Sequence, residues 1–208
     1  MEPQLVNTSI VALMNHPVPG TFTPQFFKKH GLFQGLPVAN QVIVPVLTQY
    51  AFEGSLFFEA LENRVKVELH NLNEGNQDEP SDELHIARLQ ELAIPLFQSI
   101  DYMAPSAVGI NFHLRLGAPG MLQSFIPQLS DKFHLRQAVL RQQRDDRQLN
   151  LSFGVRDEPT GHDLVVEANV HVELPSDEPT LIIEAINSMP SALREVRSEL
   201  AKISGQFG

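Results

Sequence analysis

The sequence contains no cysteine. Disulfides, thiolate catalysis and zinc sites built on cysteine are therefore excluded. Tryptophan is also missing, and few aromatics are interleaved with the basic residues between 131 and 156, so base stacking of the kind used with single strands is not expected. Positive charge is scarce: 15 Lys and Arg stand against 25 Asp and Glu, a formal net charge of −10. A surface of that sign repels phosphate and anionic lipid, which sets nucleic acid behind protein as an expected partner and sets membranes aside. Long apolar runs are lacking too. The N-terminal run Ile10–Met14 is far short of the roughly 18 residues of a membrane span and has no basic flank like that of a secretory signal. The expectation is a cytoplasmic protein.

Motifs that place chemistry by local geometry are missing as well. There is no Walker loop, no GxGxxG after a strand, no GxSxG and no HExxH. Neither a cofactor nor a metal is expected. The acidic stretch 71–83, NLNEGNQDEPSDE, lacks the ligand spacing of a calcium loop and reads as a solvated connection. Asp145 and Asp146 sit between Arg144 and Arg147, a charge-balanced turn rather than a cleft suited to acid–base work.

What remains is enough to build a core: 42% of the 208 residues are hydrophobic. Length and composition predict one domain over 1–208, with two similar halves at about 1–100 and 101–208, although no residue pattern recurs at a fixed period. Period-two alternation is clearest at 107–116, AVGINFHLRL, and at 163–174, where Leu164, Val166, Ala168, Val170, Val172 and Leu174 share a face. Thr8–Met14, Gln41–Tyr50, Ser55–Leu61, Arg64–His70, Leu135–Gln143 and Gln148–Arg156 also read as strands, with Pro45 at an edge or bulge. Thr23 and Pro24 form an N-cap and N1 pair for a short helix over 24–30. Another short helix is predicted at Met121–Leu129.

Longer helical periodicity covers about 81–100 and 178–203. Pro95 predicts a kink or split in the first, and Pro190 a kink or two consecutive helices in the second. The fold class expected is α+β: a mainly antiparallel, hairpin-built sheet in two layers, with these two long amphipathic helices on one face.

Three groups of residues merit functional weight. Asn111, His113, Arg115, Glu167, Asn169 and His171 lie on the polar faces of predicted strands. If those strands are neighbours, they would line a small-ligand or enzyme site, and His113, His171 and a carboxylate could converge on a metal. The remaining histidines, His85 among them, read as surface residues. Lys132, Arg136, Arg141, Arg144 and Arg147, with Arg156, place six cations against three aspartates between 131 and 156, a hairpin able to meet a polyanion. Met189, Leu193, Val196, Leu200 and Ile203 form a narrow apolar stripe, either core or a seam with a second copy. The leading reading is a non-enzymatic interaction protein or accessory subunit that forms a homodimer. The alternatives are a ligand- or metal-binding enzyme on the polar sheet face and polyanion binding by the arginine hairpin.

Overall fold

Alternating side chains give nine strands among the described residues. The computed structural model describes residues 3–15, 19–70, 72, 81–100, 105–116, 137–143, 147–158, 161–174 and 180–206. The strands are β1 (Gln4–Met14), β2 (Val38–Val44), β3 (Leu47–Phe52), β4 (Leu56–Leu61), β5 (Arg64–Leu69), β6 (Pro105–Arg115), β7 (Gln137–Gln143), β8 (Gln148–Glu158) and β9 (Gly161–Glu173). They form one antiparallel sheet in the order β2-β3-β4-β5-β1-β6-β9-β8-β7. Among the described residues four α-helices accompany it: α1 (Pro24–Lys29), α2 (Asp82–Ser99), α3 (Thr180–Asn187) and α4 (Met189–Gln206). The chain is thus a mixed α+β fold on a mainly antiparallel sheet, as its pattern predicts.

The order of elements is duplicated about the centre. β1 and β6 lie side by side, with Ile10 opposite Ile110, and Ser9–Asn111 and Val11–Gly109 on either side of that pair. On one flank β1 pairs with β5, the last strand of a β3–β4–β5 meander. On the other, β6 pairs with β9, the last strand of a β7–β8–β9 meander. Each meander is followed by helix. Among the described residues β2 has no counterpart, and it lies outside the first meander at the edge of the sheet.

One face of the sheet is largely apolar away from its edges. Ile10, Ala12, Val65, Val67, Val108, Ile110, Phe112, Val166 and Val170 are buried there. α2 packs on β1 and β5, and α3 on β6. Leu89, Ala93, Leu96 and Phe97 are the buried side of α2. Pro95 lies inside that helix without splitting it. Its missing N–H removes one hydrogen bond, while the buried turns on either side hold the helix in place. Of the two outcomes expected for Pro190, the helical stretch over 178–203 takes the second, two consecutive helices that meet at Ser188. The Ser188 carbonyl accepts the first bond of α4 from Ala192 N–H at 2.9 Å, and Pro190 occupies the first turn, where no donor is needed.

The same core continues over β3 and β4 as a group of aromatic rings. Phe22, Phe27, Phe33, Tyr50, Phe52 and Phe58 meet at ring separations of 5.0–6.2 Å, several of them edge to face. Such pairs add about 0.5–1.5 kcal/mol each beyond burial. Two hydrogen bonds fix the segment that carries Phe22: Tyr50 Oη donates to Phe22 O at 3.0 Å, and Thr48 Oγ1 donates to Pro19 O at 2.8 Å. The Thr23 hydroxyl caps α1 by accepting from Phe26 N–H at 3.2 Å. Gly31, at φ +66°, then turns the chain out of the helix.

Three expectations shift in detail. Gln41–Tyr50 is not one strand: Pro45 and Val46 are the tip of the β2–β3 hairpin, where proline has no ladder bond to lose. The 157–163 turn is tighter than predicted, because β8 runs to Glu158 and β9 starts at Gly161. His85 is buried in the first half of α2, not on the surface. The helix predicted at Met121–Leu129 and most of the 71–83 loop lie outside the described residues.

Candidate functional site

β6 and β9 are neighbours, so the polar residues expected to share a face do share one. Gly109 pairs with His171, Asn111 with Asn169, His113 with Glu167 and Arg115 with Val165. The same register keeps the two histidines apart. His171 stands opposite Gly109, four positions from His113, or about 13 Å along a strand. No site of two imidazoles and a carboxylate is assembled. Among the described residues, no group of three or more His, Asp or Glu is placed to hold a metal ion. His113 faces Glu167 with Nδ1 3.9 Å from Oε1, and Arg115 is half-buried at the end of β6, between Gln4 and Val165.

The centre of this face is a ladder of amides. Asn150 Nδ2 donates to Asn169 Oδ1 at 3.4 Å, Asn169 Nδ2 to Asn111 Oδ1 at 2.7 Å, and Asn111 Nδ2 to Ser9 Oγ at 3.1 Å. Four strands are thus cross-linked by side chains in one row. Gly109 is part of the same device. A Cβ there would stand 2.9 Å from Asn169 Nδ2, so the missing side chain gives room to the amide rather than to a ligand. Farther out, Glu59 accepts from Gln49 Nε2 at 2.8 Å and from Arg64 at 2.9 Å, and Lys66 pairs with Glu68. This face is hydrogen-bonded to itself.

The basic segment is partly absorbed by the fold. Arg147 pairs with Glu195 of α4 at 3.0 Å, both side chains mostly buried. Arg141 is exposed and lines a cleft of about 190 Å³ with Leu140, Gln142, Glu199 and Ile203. An acidic side chain shares that cleft, which suits an anion poorly. Lys132, Arg136 and Arg144 lie outside the described residues.

The C-terminal stripe faces inward. Met189, Leu193, Val196 and Leu200 are buried in the core of this chain, and Ile203 is half-buried against it. Arg197 fastens the helix by pairing with Asp82 at the start of α2 and donating to Pro3 O at 3.2 Å. These residues are therefore engaged before any second copy arrives.

Sequence reading overlooked the more exposed apolar feature, β2. From Val38 to Val44 every residue is exposed. Val38, Val42, Ile43, Val44 and Val46 range from 40% to 51%. The signal was present: from Gly31 to Phe52 there is no Asp, Glu, Lys, Arg or His. Edge strands are commonly guarded by such charges, and this one has none.

Among the described residues, Tyr50 and Glu83 depart from their ordinary values. Burial pushes the Tyr50 phenol up. Backbone N–H bonding at the start of α2 holds the Glu83 carboxyl down, helped by the Ser81 hydroxyl and more weakly by Arg197 and Arg194. Neither belongs to a reactive pair. No helix among the described residues is long and apolar enough to cross a membrane. No protein-family model matches the chain, and the curated proteins include none that matches it.

Proposed function

We propose that this chain is a non-enzymatic interaction protein or accessory subunit of the cytoplasm that self-associates and carries no cofactor. One observation carries the reading: β2 is an edge strand exposed along its whole length and free of charge. An unpaired edge offers a row of N–H and C=O groups to another strand, and here nothing charged opposes the approach. The reading takes α2 and the α3–α4 pair as a layer over the apolar face. Its partner is a second copy, and it assigns nucleic acid and membrane no part.

Support comes from where polar chemistry has been spent. The amides of Asn111, Asn169 and Asn150 bond to one another, and Arg147 bonds to Glu195. These three amides and Arg147, which could have bound a substrate or a phosphate, serve the fold. The test is sedimentation velocity of the full chain across the low to high micromolar range. A dimer that grows with concentration is expected. A monomer throughout the range overturns the proposal.

A further inference from the structure

We infer that two copies join through β2 in an antiparallel, two-fold pairing centred on Val42; the inference rests on the self-association proposed above and specifies its surface and register. The backbone fixes which groups are free to pair. In a two-residue hairpin the closing pair is hydrogen-bonded, and bonded pairs then alternate along the ladder. Val44–Leu47 closes this hairpin, so Val42–Gln49 and Asn40–Ala51 are the next bonded pairs. Gln41 and Ile43 accordingly turn their N–H and C=O groups outward, away from β3.

The ends of the free segment are equally defined. Pro45 lacks an N–H, and a β-bulge interrupts the ladder between Val38 and Asn40. The pairing window is therefore Asn40–Val44. Within it, one two-fold register lets both outward-facing residues bond to outward-facing residues: Gln41 opposite Ile43 of the second copy, and Ile43 opposite its Gln41. That register makes four backbone hydrogen bonds. Centring on Gln41 would set Ile43 against the bulged Ala39, and centring on Ile43 would set Gln41 against the donor-less Pro45.

Side chains and charge favour the same occupant. Val42 meets its own copy on the axis, and Asn40 meets Val44 beside it. None of the residues from Asn40 to Val44 is charged. Over most of its surface a protein of net charge −10 repels a second copy of itself, and the 22 uncharged residues from Gly31 to Phe52 are where that repulsion is locally weakest. A contact of this size gives a reversible, micromolar dimer rather than an obligate one.

The absence of native cysteine makes the register directly readable. Val42→Cys places two sulfurs on the axis at a non-bonded pair, where Cα atoms stand about 4.5 Å apart, within disulfide range. Mild oxidation is expected to give a covalent dimer of Val42→Cys. Val38→Cys, about 26 Å from its own copy in this register at 3.3 Å per residue, is expected to give none. Ile43→Lys is expected to weaken the dimer more than tenfold by sedimentation, while Leu84→Lys, at an exposed apolar position on α2, leaves it unchanged. Circular dichroism and melting check that each variant is folded. A dimer that persists with Ile43→Lys, or a Val42→Cys dimer that does not cross-link, overturns this interface while leaving self-association standing. Cross-linking of Val42→Cys to Val139→Cys, with growth into long polymers, overturns the two-fold arrangement in favour of β2-to-β7 stacking. Absence of any wild-type dimer removes both proposals.

Discussion

At the scale of the residue, single side chains decide between packing and function. Tyr50 is fully buried, and its hydroxyl donates to Phe22 O. Tyr50→Phe leaves that carbonyl without its partner and is expected to lower stability by about 1 kcal/mol at neutral pH in denaturant titrations. The pH dependence has a definite sign. Burial raises the folded pKa above the unfolded value near 10, so the contribution is full below about pH 10 and is lost as pH rises through the folded value. The wild type should weaken in that alkaline range, and Tyr50→Phe should lack this component. Gly109 tests the amide ladder. Gly109→Ala pushes on Asn169 Nδ2 and is expected to destabilise by about 1 kcal/mol, and by clearly less in an Asn169→Ala background, since the clash is then absent. Sequence could show that Asn111 and His113 share the polar face of one strand, and Glu167, Asn169 and His171 that of another, because period two fixes facing within a strand. It could not show that His113 lies opposite Glu167 rather than His171, because register depends on contacts between strands.

Among elements, the helices were legible as apolar periodicity, but their partners were not. The stripe Met189–Leu193–Val196–Leu200 repeats at the spacing of a helix seam, and a seam with the chain's own core reads like a seam with another copy. The structure separates the two by burial. Removing the chain after Ser188 would therefore strip the core, and its effect on assembly would follow from its effect on folding. The ion pair of Arg197 with Asp82 ties α4 to the start of α2. Arg197→Ala leaves a mostly buried carboxylate without that partner and is expected to cost about 2 kcal/mol, below the 3–5 kcal/mol of a fully buried pair because both groups retain some solvent. The shift in denaturant midpoint measures it. Strand boundaries were legible where turns fell in polar residues, as at Glu62 and Asn63. They were misread at Pro45 and Val46, where an apolar turn joins two apolar strands without a break in hydropathy.

For the molecule as a whole, charge sets how copies meet. Each copy carries a net charge of −10, so added salt screens a repulsion and removes no attraction from an uncharged edge. Dimerisation is expected to tighten as ionic strength rises, the opposite of the fall seen when cations neutralise a polyanion. Sedimentation at low and high salt distinguishes the two. The duplicated order of elements was half visible in the sequence as strands followed by a long helix, twice. The pairing that unites the halves was hidden, because β1 and β6 share no motif and are joined by backbone ladder bonds that any two strands can make. That central pairing also has a temporal meaning. The β3–β5 and β7–β9 meanders each close over short stretches of chain, whereas β1 meets β6 across about a hundred residues, as Ile10 meets Ile110. Contacts between distant residues are slow to form. Until that meeting occurs, β1 and β6 each leave an uncovered apolar edge, and the chain is most vulnerable to the wrong neighbour in the interval before its own two halves find each other.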